Sequence, residues 1–246
     1  MKRLLVLLPV LAILTGLIYW YFFSVPSLPN PDYERTEHVR SALAEGTPVV
    51  IVALGDSITA GTNASVTYSS ILEDALRDNF PHCNLDVHNA GVPGDTVAGG
   101  LRRLERDVIS HSPDVVFVEF GWNDLRNAVK KLDFERDLRA LAVAIQRNNP
   151  ATVVFLMTTT HVNIALANSK IRARNKIIRR VAKETGCGLV DLYRCFHLAR
   201  DSGASIGQLM SDDRIHPSEK GQRLIANAIL RHLFPDREDL DLLELD

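Results

Sequence analysis

Residues 48–236 predict a three-layer α/β/α domain built around a parallel sheet, on three observations. Five short apolar, β-rich runs recur along the chain, near-continuous in the way of strands covered on both faces. Amphipathic helical patterns lie between them, giving the strand–helix alternation of a doubly wound fold. The pattern carries no internal repeat and no sign of a second domain.

The first strand is read at "VVIVAL" from Val49, followed by "NLDVHN" at Asn84, "DVVFVEF" at Asp114, "ATVVFLMT" at Ala151 and "GLVDLY" at Gly188. After the first, "TYSSILEDALRDNF" sets Ile71, Leu72, Ala75, Leu76 and Phe80 on one helical stripe. "TVAGGLRRLERDVISH" does the same with Val97, Leu101, Leu104, Val108 and Ile109, as one helix. "DFERDLRALAVAIQRNN" and "KIRARNKIIRRVAKETG" follow, the latter stopping at Gly186 as a helix C-terminus should. The last helix, "HPSEKGQRLIANAILRHLF", is expected to begin with Pro217 in its first turn and to turn Leu224, Ile225, Ala228, Ile229 and Leu233 inward.

Ahead of this domain, Lys2 and Arg3 precede an almost wholly apolar stretch from Leu4 to Phe23 that ends in "YWYFF". As a helix of about 20 residues it would cover about 30 Å, a hydrocarbon core's thickness. Residues 1–25 therefore read as an uncleaved signal anchor, with a cleaved signal peptide as the alternative, and the basic residues place the domain outside the cytoplasm. Residues 26–47 read as a Pro-rich linker and a short polar helix, and residues 237–246 as an acidic tail.

A formal net charge of −2 over 246 residues argues against general nucleic-acid binding; the basic residues from Lys170 to Arg180 fit a solvated helix face. Cys83, Cys187 and Cys195 make no disulfide framework. If "GLVDLY" is extended, Cys187 and Cys195 stand about 26 Å apart, too far to bridge. No Cys–His spacing resembles a zinc site. Oligomeric state is left open.

In open α/β sheets ligands lie beyond the carboxyl ends of the strands. That rule selects the loops "GDSITAG", "AGVPGDT", "GWNDLRN" and "TTTHVN". Ser57 follows the first strand directly; there it is either a helix cap or a nucleophile, and an alcohol needs an adjacent base to attack. Among the eight histidines, His216 in "SDDRIHPSEKG" has a backbone fixed by Pro217 and an acid close enough to orient its ring, Asp213 or its neighbour Asp212. Oxyanion donors are available in the N–H of Ser57, the N–H of Gly91, where glycine allows close approach, and the side-chain amide of Asn123.

"GDSITAG" around Ser57, Gly91 in "NAGVPGDT", Asn123 in "GWND" and Asp213 and His216 in "DRIHP" together resemble the four ordered signature blocks of the SGNH/GDSL hydrolases. The resemblance implies a flavodoxin-like five-stranded parallel sheet of order 2-1-3-4-5 and serine esterase or lipase chemistry with no metal and no cofactor. It implies Ser57 as nucleophile, Asp213 and His216 as orienter and base, and Ser57, Gly91 and Asn123 as oxyanion hole. The stretches "GVPGDTVAGGLRRL" and "VFVEFGWND" are most similar to the lysophospholipase/thioesterase and arylesterase branch. Ile58 stands where the family has leucine, and Trp122 fills a position where that branch often has a small residue. Thr59 stands where an α/β-hydrolase elbow would have its last glycine.

The expected activity is cleavage of carboxylic esters, lipid or other small molecules, through an acyl-Ser57 intermediate. A carbohydrate or cell-wall O-acetylesterase is the alternative within the enzymes, and a noncatalytic, membrane-tethered binding module the alternative outside them. Asp56 is expected to hold its own loop, Asp124 to brace Asn123, Asp95 and Thr96 to cap a helix, and His161 to be a solvated loop residue rather than part of the site.

Overall fold

In a computed structural model the described residues are 34–235, and all of them belong to one compact unit. Among them no helix is long and apolar enough to cross a membrane. The expected anchor at Leu4–Phe23 and the acidic tail lie outside the described residues.

In chain order the elements are α1 (Glu37–Glu45), β1 (Val49–Gly55), α2 (Tyr68–Asn79), β2 (Leu85–Gly91), α3 (Val97–Arg102), α4 (Leu104–Asp107) and β3 (Val115–Glu119). There follow α5 (Trp122–Arg126), α6 (Lys131–Asn148), β4 (Val153–Met157), α7 (Ala165–Thr185), β5 (Gly188–Val190), α8 (Leu192–Asp201), α9 (Ile206–Leu209) and α10 (Glu219–Leu233). The strands form one parallel sheet of order β2-β1-β3-β4-β5, as the resemblance implied.

Alternation along each central strand splits the core in two. Ile51, Ala53, Val115, Phe117 and Phe155 face a cluster built with α1, α2, α8 and α10. Val52, Leu54, Val116, Val118 and Val154 face a second cluster built with α3, α6 and α7. Each fully buried Val, Leu or Phe contributes about 1.5–3 kcal/mol of transfer free energy, so two apolar faces strongly fix the register of β1, β3 and β4. Strand β2 differs: it is an edge strand with Asp86 and Asn89 exposed, not covered on both faces. Helix α1 lies in the segment read as linker and polar helix, yet it buries Val39 and Leu43 in the core.

Four local expectations change. The helix read from Thr96 to His111 is broken into α3, α4 and a 3-10 turn at Ile109–His111. The chain leaves helical geometry at Arg103 (φ −102°, ψ 5°) and again at Val108 (φ −132°, ψ −63°), and α3 itself carries two glycines that its packing demands: a Cβ on Gly99 would lie 1.5 Å from an Asp95 carboxyl oxygen, and one on Gly100 would lie 2.6 Å from the Phe120 ring. Close packing there requires glycine, and glycine weakens a helix. "GLVDLY" is strand only to Val190, because the Asp191 side chain accepts from the Arg194 N–H and starts α8. Cys187 and Cys195 are therefore not joined by extended chain, and all three cysteines are free. Finally, α10 starts at Glu219 with Ser218 as its cap, and Pro217 sits before the cap in a bridge to Met210.

Candidate active site

Register brings the site loops to one edge. Gly91, Gly55, Glu119, Met157 and Val190 form a row across the five strands at their carboxyl ends. The chain leaves that row through the loops carrying Ser57, Asn123 and His161.

The Ser57 turn is tight because Gly55 has no side chain: a Cβ there would stand 2.1 Å from the Thr59 hydroxyl oxygen. Asp56 closes the turn by accepting the Ile58 N–H at 3.0 Å, as its sequence position suggested. Ser57 is 6% exposed, and its hydroxyl lies 2.8 Å from His216 Nε2. The other ring nitrogen, Nδ1, is hydrogen-bonded to the Asp213 carboxyl, while Asp212 is an exposed neighbour. Ser57, His216 and Asp213 are thus brought into one line.

The histidine loop folds on itself. The Ser211 N–H donates to the His216 carbonyl at 2.8 Å, and Arg214 takes the left-handed conformation at φ 68°. That bend turns Asp213 back beneath the ring. Its Oδ1 accepts from the Ile215 N–H at 2.9 Å, the His216 N–H at 3.0 Å and the Ser211 hydroxyl at 3.0 Å. Asn63 Nδ2 donates to Oδ2 at 2.9 Å. Partial burial works against the Asp213 charge, but these donors and His216 outweigh it and hold the carboxyl well below the usual range.

The three expected oxyanion donors are placed differently from one another. Asn123 is buried and uses one amide N–H on Asp56 Oδ2 at 3.0 Å, leaving the second N–H of the group. The Gly91 N–H donates to Asn89 Oδ1 at 3.0 Å. The lack of a Cβ at Gly91 serves the protein itself: one would lie 2.3 Å from Ala60 N and 2.7 Å from Thr59 C. Gly91 is therefore packed against the nucleophile's own loop.

Beneath Ser57 lies a buried polar layer that the motifs do not reveal. Thr59 Oγ1 and Tyr68 Oη are 3.0 Å apart; the Tyr68 N–H donates to Gln222 Oε1, and Gln222 Nε2 donates to the Ile58 carbonyl. Asn89 Nδ2 donates to the Thr59 carbonyl at 2.8 Å. Glu119 is fully buried beside Asp56, and among the described residues no N–H or O–H donor reaches its carboxyl oxygens. Burial first, then the adjacent Asp56, raise Glu119 well above the usual carboxylate range, and burial pushes Asp56 up to about 6. The Glu119 proton can serve Asp56 as a donor. Arg103 clamps both strand ends from the side, donating to the carbonyls of Gly55 at 2.8 Å and Ala90 at 2.7 Å while pairing with Asp95 and Asp107.

Of the secondary candidates, Thr96 caps α3 as expected, whereas Asp95 holds Arg103. Asp124 accepts the Val97 N–H at 3.3 Å and so ties α5 to α3 instead of bracing Asn123. His161 is not simply solvated: it packs between Tyr193 and His197, and burial lowers it to about 4. It stands outside the Ser57–His216–Asp213 line. Trp122, Leu125, Ala167 and Ile215 pack around Val162, Ile171 and Tyr193, putting an apolar cluster next in sequence to both Asn123 and His216. Among the described residues no group of three or more His, Cys, Asp or Glu is arranged to hold a metal.

A flavodoxin-like sheet with a hydrogen-bonded serine, histidine and aspartate at its carboxyl edge defines the class: an α/β ester hydrolase. The family model for GDSL-like lipase/acylhydrolases matches residues 53–224, and the chain belongs to that SGNH/GDSL family of carboxylic ester hydrolases. It is 28% identical over 187 residues to the thioesterase 1/protease 1/lysophospholipase L1 of Escherichia coli strain K12, covering 75% of this chain and 83% of that one. It is 25% identical over 179 residues to an acetylxylan esterase of Geobacillus stearothermophilus, covering 68% and 80%. Among solved structures, the α/β hydrolase LAE5 from the metagenome of Lake Arreo superposes with a TM-score of 0.68 at 26% identity, over 75% of this chain and 94% of that one.

Proposed function

We propose that the chain hydrolyses carboxylic esters through an acyl-Ser57 intermediate. His216 Nε2 takes the Ser57 proton as Oγ attacks the ester carbonyl, and returns it to the departing alkoxide as the C–O bond breaks. Water then attacks the acyl-serine, giving its proton to His216 and releasing the acid with Ser57 restored. Asp213 holds the ring so that Nε2 faces the serine and stabilises the imidazolium. The developing oxyanion is assigned to the Ser57 N–H, the free N–H of Asn123 and the Gly91 N–H, the last exchanging its bond to Asn89. The observation that carries the reading is the unbroken line from Ser57 Oγ through both His216 nitrogens to Asp213.

Ser57→Ala is expected to abolish hydrolysis of p-nitrophenyl butyrate and labelling by a fluorophosphonate, with an unchanged circular-dichroism spectrum. Near-normal turnover in that variant removes the nucleophile, and an unlabelled, inactive wild type favours a binding module. Within the esterases we favour a lipase-like substrate over an acetylated sugar, because the apolar cluster at Trp122 and Leu125 adjoins the site and suits an acyl chain. Hydrolysis rates across acyl lengths from two to twelve carbons separate the two.

The apolar Leu4–Phe23 stretch behind Lys2 and Arg3 supports an anchor that holds the domain at the outer face of a membrane. Retention of the full chain in the membrane fraction after a high-salt wash is expected; recovery as a soluble protein overturns the anchor.

A further inference from the structure

The hydrogen-bonded line from Ser57 does not end at Asp213. Oδ1 of that carboxyl accepts from Ser211, Ile215 and His216, all on the histidine loop. Oδ2 accepts from His216 Nδ1 and, at 2.9 Å, from the side-chain amide of Asn63, which belongs to the nucleophile's loop. Thr62, one residue before Asn63, donates its N–H to the Ser57 carbonyl at 3.0 Å. The bonds therefore close a ring, from Ser57 through His216, Asp213 and Asn63 and back along the chain to Ser57. Among the described residues Asn63 is the one donor to the Asp213 carboxyl from outside the histidine loop.

Ser65 adds a parallel tie, its hydroxyl donating to Glu219 Oε2 at 2.8 Å. Asp213 and Glu219 stand three residues before and three after His216, so residues 63–65 grip the chain on both sides of the base.

Backbone geometry narrows the choice of residue at position 63. Its φ is 65°, in the left-handed region, where glycine, asparagine and aspartate fit with least strain. Of these three only asparagine carries an N–H to give a carboxylate; glycine has no side chain, and aspartate would set a second negative charge against the first. Asn63 is exposed, so what its side chain supplies is the bond to Asp213 and not packing.

We propose that Asn63 is a positioning residue for ester hydrolysis: from the nucleophile's own loop it holds the Asp213 carboxylate in line with the His216 ring and moderates the negative charge presented to that ring. The inference rests on the reading of Ser57, His216 and Asp213 as the working line of an esterase. A charge-assisted bond of this kind is directional, and it resists both rotation of the carboxyl group and drift of the exposed histidine loop away from Ser57. Without the N–H the carboxylate acts on the ring with its full charge, which favours imidazolium. Other charges surround the pair. Asp56 acts on His216 from the serine turn, and Asp212 is exposed on the histidine loop. Arg214 reaches out to the Asn163 carbonyl, and Glu219 at the start of α10 is held by Ser65 and Arg223. None of these four donates to Asp213.

Asn63→Gly removes the donor without straining the backbone, and Asn63→Asp replaces it with a charge. In the full chain acting on p-nitrophenyl butyrate, Asn63→Gly is expected to lower kcat about tenfold with KM unchanged, and to move the acid limb of kcat/KM to higher pH. Asn63→Asp should move that limb further, by about one pH unit. Both variants should melt within about 2 °C of the wild type. A wild-type kcat and pH profile in Asn63→Gly overturns the proposal and leaves Asn63 as a residue that merely fits a bend. An equal fall of kcat in both variants with the pH profile unmoved also overturns it, because lost loop shape alone would then explain the effect. Should the wild type hydrolyse no ester, the esterase reading fails alone. The His216 ring, followed by NMR from pH 4 to pH 10 in the wild type and in Asn63→Gly, then decides the role of Asn63: a titration displaced to higher pH supports it, and coincident curves overturn it.

Discussion

Ser57 and His216 meet at 2.8 Å from two loops that are held by opposite means. The nucleophile's loop is buried and is fixed at long range, by Tyr68 and Gln222 from two helices, by Asn89 and Gly91 from β2, and by Glu119 at the end of β3. The histidine's loop is largely exposed and is fixed at short range, mostly by Asp213 accepting from Ser211, Ile215 and His216. The serine's position is therefore coupled to the stability of the whole domain. The histidine's position depends chiefly on one carboxylate and one bend at Arg214, with long-range ties only at the exposed rim, from Asn63 to Asp213 and between Arg214 and Asn163. Damage to the first loop should cost fold and activity together, and damage to the second should cost activity alone.

The largest effect expected under that division comes from Asp213→Asn. The side-chain oxygen of Asn still accepts backbone N–H bonds, so the loop survives, but the ring loses the partner that fixes its tautomer and balances its charge. In the general serine–histidine–aspartate template that loss lowers kcat by about 10⁴-fold, and a similar fall is expected here. Denaturant unfolding should show a change of no more than about 1 kcal/mol. A large loss of stability would mean that the histidine loop is as deeply coupled to the fold as the serine loop.

Gly91→Ala is the matching probe of the buried side. The new methyl would meet backbone atoms of Thr59 and Ala60, which cannot swing aside as a side chain can. Overpacking of this kind costs about 1–3 kcal/mol, and displacement of the 59–60 backbone should lower kcat in the same variant. Thermal unfolding and ester turnover should fall together. Full stability with lost activity would instead assign Gly91 to the oxyanion alone.

The same contrast governs what was legible in the sequence. The sheet and its long helices were readable because apolar periodicity records burial directly, and the row of strand ends then placed Ser57, Gly91 and Asn123 at one edge. Asp213 and His216 were readable because their contact is made within four residues. Tyr68, Gln222 and Asn89 carry no local mark: a helix-starting tyrosine or a mid-helix glutamine looks the same whether it faces solvent or the underside of a catalytic loop. Glu119 did leave a signal, as the acid near the end of the apolar run "DVVFVEF", where a charge should not be buried without a reason. The breaks at Arg103 and Val108 were hidden because helical periodicity counts apolar spacing and not the backbone angles at single residues.

The finest probe is Glu119→Gln, which alters the buried layer without changing its volume. Glu119 is faced by Asp56 from the serine loop, Asp124 from α5 and the Tyr68 hydroxyl from α2, and burial is the main reason its carboxyl is raised. A raised carboxyl binds its proton more tightly in the folded chain than in the unfolded one. Above about pH 4.5 the unfolded chain loses that proton first, so Glu119 makes stability decline as pH rises toward its folded value. Asp56 adds a decline of the same sign between its usual value of 3.8 and about 6. Glutamine removes the first contribution and leaves the second, and its amide N–H can replace the acid proton as a donor to Asp56. Melting curves from pH 5 to pH 9 should therefore diverge, with the variant near the wild type at pH 5 and more stable than it at pH 9. Turnover at pH 7 should change less than in either variant above, because Glu119 acts on Ser57 only through Asp56. Parallel melting curves would show that Glu119 is already ionised in the folded chain. The buried side of the comparison would then rest on hydrogen bonds from Tyr68, Gln222 and Asn89, with no contribution from a held proton.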